Sequence, residues 1–104
     1  MYGLLERDLK FIFEAVSNYL EIEEVIIFGS RAMGNYKKGS DIDIALKGQD
    51  ISRKIVSRLS DDLSEEYPLP YFFDVLNYND ISNEELRKHI DNIGKSIYKR
   101  ADCS

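Results

Sequence analysis

The sequence predicts a small α+β domain, of mixed α/β character, in which helices cover a short sheet. Three segments carry apolar residues at the spacing of one helix face, and three shorter segments are rich in β-branched and aromatic residues. Their order along the chain is helix, strand, strand, helix, strand, helix. Because the 104 residues contain no repeat or low-complexity linker, we expect one domain over residues 1–104 with a single core.

The first half of the chain is predicted to contain one helix and two strands. Residues 4–20 carry an apolar stripe at helical spacing, so they should form an amphipathic helix. A polar connection leads into a strand over residues 25–28, which stops at Gly29. A loop of small residues with a short helical segment follows, and an alternating apolar pattern predicts a second strand over residues 41–46.

The next helix and the third strand are separated by prolines. Asp50 is the predicted N-cap of a helix over residues 51–67, because a short carboxylate can accept free backbone N–H groups. The run Pro68-Leu69-Pro70 should end that helix. Residues 71–76 are apolar except for one aspartate, which indicates a third strand that is mostly buried.

A final amphipathic helix is predicted over residues 83–100. Ser82 and Glu85 have the spacing of a capping box, which marks a helix start. Gly94 would lie inside this helix and should cost it about 1 kcal/mol relative to alanine. His89 borders the apolar stripe of the helix, and a packing or surface role is favoured for it over a catalytic one.

Composition and charge restrict the function. The net charge of −5 argues against direct nucleic-acid binding, which usually requires a basic surface. No apolar run approaches the ~20 residues that cross a bilayer, and the N-terminus lacks the pattern of a secretory signal, so a cytoplasmic protein is expected. Cys103 is the single cysteine, which excludes an internal disulfide.

Two aspartates give the second strand a candidate chemistry. Side chains alternate between the faces of a strand, so Asp41 and Asp43 should project together while Ile42 and Ile44 project on the other side. Two neighbouring carboxylates repel each other unless one is protonated or a cation lies between them. Mg²⁺ is usually held by one or two carboxylates together with substrate phosphates and water. The pair therefore predicts a magnesium site, although such a pair can also be a solvated strand edge.

The turn after the first strand indicates which ligand would bind together with the metal. Gly29 lets the backbone approach an anion, and the Ser30 hydroxyl and nearby amides can donate hydrogen bonds to phosphate oxygens. Together with the aspartates, this turn predicts a site for a metal-bound nucleoside triphosphate. A Walker A loop is excluded, because Asn35 and Tyr36 stand where that motif needs Lys and Ser or Thr. No EF-hand calcium loop is present.

These residues resemble a known signature. Gly29-Ser30, Gly34 and Ser40-Asp41-Ile42-Asp43 match, in order and spacing, the pattern G-S-x-x-x-G-x-x-x-x-x-S-D-x-D of the DNA polymerase β-like nucleotidyltransferase superfamily. The chain is most similar to its minimal nucleotidyltransferase branch, the MNT domain antitoxins of the MntA type. The resemblance implies the polymerase β-like palm, a short mixed sheet covered by helices.

The resemblance also implies roles for individual residues. Asp74 would be the third aspartate, so that Asp41, Asp43 and Asp74 hold two Mg²⁺ ions and serve catalysis. The nucleotide phosphates would be bound by four residues of the signature, namely Gly29, Ser30, Gly34 and Ser40. Without the upstream motif, the preferred interpretation is that Asp74 lies at a frayed strand end and faces water.

The implied activity is transfer of a nucleoside monophosphate, AMP from ATP, to a hydroxyl group. For the MNT branch, the implied acceptor is a tyrosine of a HEPN-domain toxin. Modification of that tyrosine inactivates the toxin, so the transferase acts as the antitoxin. Larger relatives add a helical domain over the base, so we expect a second subunit, another copy or a different protein, to complete the pocket here. Three alternatives remain open: a non-catalytic antitoxin subunit, a nucleotide-binding regulatory domain, and an aminoglycoside-like nucleotidyltransferase acting on a small molecule.

Overall fold

A computed structural model of the protein describes residues 6–29, 34, 41–66 and 72–100. In chain order the helices and strands are α1 (Glu6–Ser17), β1 (Glu24–Phe28), β2 (Ile42–Lys47), α2 (Arg53–Asp61), β3 (Phe73–Asn77), α3 (Glu84–Ile93) and β4 (Lys95–Lys99). A π-helical turn, Asp62–Glu66, extends α2, and a 3-10 turn, Tyr78–Asp80, follows β3. Within the described ranges, no helix has the length and apolar character needed to cross a membrane.

The four strands form one mixed sheet in the order β3-β2-β1-β4. Strand β1 pairs antiparallel with β2 and with β4, whereas β2 pairs parallel with β3. A parallel pair needs a crossover connection, and α2 supplies it between β2 and β3. The predicted α+β class with a short mixed sheet is therefore confirmed.

Helices cover both faces of the sheet because apolar residues on β1 and β2 alternate between them. One face packs against α1 and α2, where the buried side chains include Ile27, Ile44 and Leu59. The opposite face packs against α3 through a smaller cluster that contains Phe28, Ala45 and Ile90. Asp43 alternates with Ile44 and lies two residues before Ala45, so it projects toward the α3 side.

The predicted final helix over residues 83–100 is wrong in its second half. Helix α3 ends at Ile93, and residues 95–99 form β4 at the sheet edge. Gly94 lies at this change of direction, and a Cβ there would collide with the carbonyl oxygen of Ile90 and with Cγ2 of Ile26. The apolar spacing continued past Gly94, but pairing with β1 determines the structure of the last segment.

Three smaller predictions are also corrected. Ser52, not Asp50, caps α2 by accepting the N–H of Ile55. Asn83, not Ser82, caps α3. Strand β3 lies at a sheet edge and is less buried than its apolar sequence predicted, since all its residues except Asn77 are partly or fully exposed.

Candidate functional site

The register of β2 and β3 brings two aspartates together. In this parallel pair Asp43 lies opposite Asp74, and Ala45 lies opposite Leu76. Because the strands are in register, both carboxyl groups project from the same face of the sheet, toward α3. Their side chains lie within hydrogen-bonding reach of each other. Asp74 is exposed and Asp43 is partly buried, so the pair can be reached from solvent.

The electrostatics of Asp43 reflect this crowding. Burial raises the pKa of the Asp43 carboxyl above its ordinary value, and the negative charges of Asp74 and Asp41 raise it further. A positive charge on His89 would act in the opposite direction, because it would favour the carboxylate. The three predicted aspartates therefore form one electrostatic cluster. Asp41, directly before β2, is its most amino-terminal member and is exposed.

Gly29, the first residue of the signature, packs against the side chain of Asp43. It directly follows β1, which pairs antiparallel with β2 so that Phe28 lies opposite Asp43. Its φ of 74° lies in the left-handed region that glycine tolerates best. A Cβ at this position would collide with Oδ2 of Asp43. The glycine thus allows the turn and the carboxylate to pack against each other.

The structure describes only part of the predicted phosphate-binding loop. Gly34 is exposed and has a φ of 84°, and no described residue lies within 4 Å of the position of a Cβ there. Ser30 and Ser40 lie outside the described residues, as does the short helical segment expected between the strands. Among the predicted site residues, the structure therefore brings together Gly29, Asp43 and Asp74, and Asp41 lies near enough for its charge to act on the pKa of Asp43.

His89 is a site residue that sequence reasoning missed. It lies on α3, and its Nε2 accepts a hydrogen bond of 3.0 Å from the backbone N–H of Gly29. Its ring meets Phe28 edge to face, with centroids 6.1 Å apart and an interplanar angle of 77°. No local pattern marks this role, because the contact depends on how α3 packs on the end of β1.

The donor set fits a hard cation. All three aspartates offer carboxylate oxygens, and burial and then repulsion by Asp74 and Asp41 raise the pKa of Asp43; a divalent cation would relieve the repulsion. Among residues 6–29, 34, 41–66 and 72–100, no group of three or more His, Cys, Asp or Glu side chains is arranged closely enough to enclose an ion. Mg²⁺ uses few protein ligands and completes its shell with phosphates and water, so the carboxylates of Asp43 and Asp74, which lie opposite each other, could hold it.

A cleft of about 600 Å³ opens beside Asp74. It runs along β3 between α2 and the start of α3, and its wall includes Arg53 and Ser57 of α2 and Asp80 of the 3-10 turn. The third aspartate therefore faces both the carboxylate cluster and a space large enough for a side chain from another molecule.

Sequence comparison identifies one protein family. The family model described as "Polymerase beta, Nucleotidyltransferase" matches residues 10–102, which is most of the chain. Comparison with curated protein sequences gives no significant match.

Three solved structures share the fold. A toxin–antitoxin complex with AMP-PNP contains a chain that superposes with a TM-score of 0.73 at 21% identity, over 89% of this chain and 74% of that one. The complex of a tri-AMPylated Shewanella oneidensis HEPN toxin with its MNT antitoxin gives a TM-score of 0.69 at 19% identity, over 96% and 74%. A Sulfolobus solfataricus protein, provisionally assigned as a nucleotidyltransferase, gives 0.53 at 30% identity, over 90% and 82%.

Proposed function

The chain belongs to the polymerase β nucleotidyltransferase family, and we propose that it transfers a nucleoside monophosphate, AMP from ATP, to a hydroxyl group of a partner protein. The observation that carries this proposal is the cluster of Asp41, Asp43 and Asp74 beside the Gly29 turn. A purely structural sheet edge would gain nothing from three neighbouring carboxylates, which destabilise one another in the absence of a cation.

We assign the nucleotide to the Gly29 side of the cluster. Ser30, Gly34 and Ser40 of the signature would hold the phosphates by hydrogen bonds. Asp41, Asp43 and Asp74 would hold Mg²⁺, two ions in the proposed reaction. When bound, the metal would neutralise phosphate charge and lower the pKa of the acceptor hydroxyl. The protein's own contribution is to fix these charges in position before the reaction begins.

The acceptor would approach from the cleft beside Asp74. Its hydroxyl oxygen forms a bond to the α-phosphorus, the bond from that phosphorus to the oxygen bridging to the β-phosphate breaks, and pyrophosphate leaves. The hydroxyl proton passes to solvent. The cleft supports this direction of approach, because Asp74 lines it and lies on β3 at the edge of the sheet.

The fold relatives support a HEPN toxin as the acceptor. One of them is an MNT antitoxin in complex with a tri-AMPylated HEPN toxin, and another is part of a toxin–antitoxin complex with AMP-PNP. We propose that this chain likewise acts as an antitoxin, modifies a tyrosine of a HEPN partner and forms a hetero-oligomer with it. The partner would then complete the half of the pocket that this domain leaves exposed.

Mass spectrometry of the partner tests this function. A candidate HEPN partner from a neighbouring gene is incubated with this chain, Mg²⁺ and each nucleoside triphosphate in turn, and the intact mass of the partner is measured. The inactive variant is Asp41→Asn combined with Asp43→Asn. Asp50→Asn is the matched control, because Asp50 is exposed and does not cap α2.

A mass increase by whole nucleotide units, seen with the wild type and Asp50→Asn but not with the double variant, is the expected result. It would identify both the donor and the acceptor. A stable complex that silences the partner without any mass increase would overturn the transferase proposal in favour of a binding-only antitoxin. Transfer to a small aminoglycoside and not to the partner would leave the chemistry intact but refute the acceptor.

A further inference from the structure

One hydrogen bond connects α3 to the proposed nucleotide site. The backbone N–H of Gly29 donates to Nε2 of His89 over 3.0 Å. An imidazole nitrogen can accept such a bond only through its lone pair, so the ring proton of the neutral histidine is on Nδ1. His89 is therefore held in one tautomer by the turn at the end of β1.

The helix that carries His89 is firmly anchored. The next residue, Ile90, is buried in the cluster with Phe28 and Ala45. At the start of α3, Asn83 accepts the N–H groups of two residues of the first turn. The imidazole thus extends from this helix to the backbone N–H of Gly29, and the packing of Ile90 determines its position relative to the sheet.

Gly29 transmits this restraint to the carboxylates. Its backbone packs so closely against Asp43 that a Cβ would collide with Oδ2. It also begins the loop whose hydroxyl and amide groups are proposed to bind phosphates. A displacement of Gly29 would change both the support of Asp43 and the starting point of that loop.

We propose that His89 is a positioning residue for nucleotide binding, which acts through the Gly29 amide to hold the turn after β1 against Asp43. This inference rests on the proposed function, since it concerns the same site. The alternative is that the ring serves only to pack against Phe28, which it meets edge to face.

Two substitutions separate the hydrogen bond from the ring packing. His89→Gln removes the ring but keeps an acceptor oxygen as many bonds from Cα as Nε2, whereas His89→Phe keeps a ring against Phe28 but has no acceptor. Lys88→Ala, at the exposed neighbouring position of α3, is the control. Thermal unfolding of each variant establishes that it is folded.

The first readout is amide hydrogen exchange at Gly29 without nucleotide, measured by NMR. The second is the binding affinity, measured by calorimetry with Mg²⁺, for an ATP analogue that has a methylene group between the α- and β-phosphorus and cannot be transferred. Loss of one hydrogen bond should accelerate exchange at Gly29 and weaken binding about five- to tenfold in His89→Phe. His89→Gln should retain at least half of the wild-type affinity.

The outcomes distinguish the two proposals. If the wild type does not bind the analogue, the proposed function fails. If the wild type binds and His89→Phe binds equally well, or His89→Gln is the weaker of the two, the positioning role is overturned. Hydrogen exchange of the Gly29 amide without protection in the wild-type protein would overturn the positioning role as well. This measurement does not depend on whether a variant folds.

Discussion

The backbone of Gly29 packs directly against the carboxyl group of Asp43, and the gap between them is too small for a Cβ atom. The contact joins the turn that is proposed to receive phosphates to β2, the strand that carries Asp43 and directly follows Asp41. A glycine is therefore required here for two separate reasons, namely its left-handed backbone and the close approach of a charged side chain.

Replacing Gly29 with alanine should destabilise the protein more than the same change at Gly34. Both glycines have positive φ, so each alanine carries backbone strain of about 1–2 kcal/mol. Only at Gly29 would the methyl group also displace Asp43, because no described residue lies within 4 Å of the corresponding position at Gly34. Because the contacted atom is the end of a side chain that can rotate away, we expect an additional loss of about 0.5–1.5 kcal/mol in the free energy of unfolding, measured by urea denaturation.

Gly34→Ala thus serves as the matched control for strain alone. Equal losses in the two variants would mean that the turn can move away from Asp43 without cost, and that the close contact does not restrain the site.

Replacing Asp43 with asparagine should stabilise the protein slightly in the absence of divalent cations and abolish its stabilisation by Mg²⁺. Partial burial and the charges of Asp74 and Asp41 both disfavour the charged Asp43 carboxylate, and the neutral amide avoids both effects, so the melting temperature at pH 7 should rise. Mg²⁺ stabilises only a folded state that binds it, so adding it should raise the melting temperature of the wild type more than that of the variant.

The pH dependence of this effect has a definite sign. Because the folded-state pKa of Asp43 is raised above 3.8, its favourable contribution is complete below that pH and is lost as the pH rises through the raised pKa. The advantage of Asp43→Asn in metal-free buffer should therefore grow from pH 4 toward neutrality. A wild-type protein that remains the more stable one at pH 7 without metal would contradict the repulsion.

Local patterns predicted most of the fold. The alternation around Asp43 predicted the strand and the face on which its isoleucines are buried, and the structure confirms both. The family resemblance also predicted that Asp74 is a neighbour of the aspartates in the signature. In the structure Asp74 lies opposite Asp43 in the register of β2 and β3. The catalytic and phosphate-binding roles of these residues stay predictions.

Features that depend on contacts between distant segments were missed. The apolar residue Ile97 continues the helical spacing of α3, but its segment pairs with β1 as a strand, and this pairing is not visible in the local sequence. His89 was predicted to have only a packing or surface role, since its hydrogen bond to Gly29 exists only when α3 packs on the sheet. The observed N-caps, Ser52 and Asn83, lie two residues and one residue after the predicted ones, because each can cap a helix as well as its neighbour.

Replacing Gly94 with alanine should destabilise the protein. Inside a helix this change would be favourable by about 1 kcal/mol, which is what the sequence pattern predicted. In the structure the added methyl group would collide with the carbonyl oxygen of Ile90 and with Cγ2 of Ile26. We expect a loss of about 1–3 kcal/mol in the free energy of unfolding, measured by urea denaturation. A gain in stability would show that α3 continues through Gly94 and that β4 is not formed.

Filling the cleft beside Asp74 should block the acceptor and spare the nucleotide. Ser57 lies on the wall of the cleft and is exposed, so Ser57→Trp can place an indole ring in it without entering the core. Transfer to the HEPN partner, followed by intact mass at increasing partner concentration, should show a KM raised by about tenfold, the effect of losing about 1.4 kcal/mol of partner binding. Affinity for Mg²⁺ and the methylene ATP analogue should stay within twofold of the wild type.

The matched control for this substitution is Lys54→Trp. Lys54 is exposed on the same helix but does not line the cleft, so the same bulk there should leave the KM for the partner unchanged. Equal KM values for Ser57→Trp and the wild type would exclude the cleft as the path of the acceptor hydroxyl. Loss of analogue binding in Ser57→Trp would instead assign the cleft to the nucleotide, and the acceptor would then have to reach the aspartates from the solvent-exposed side of Asp41.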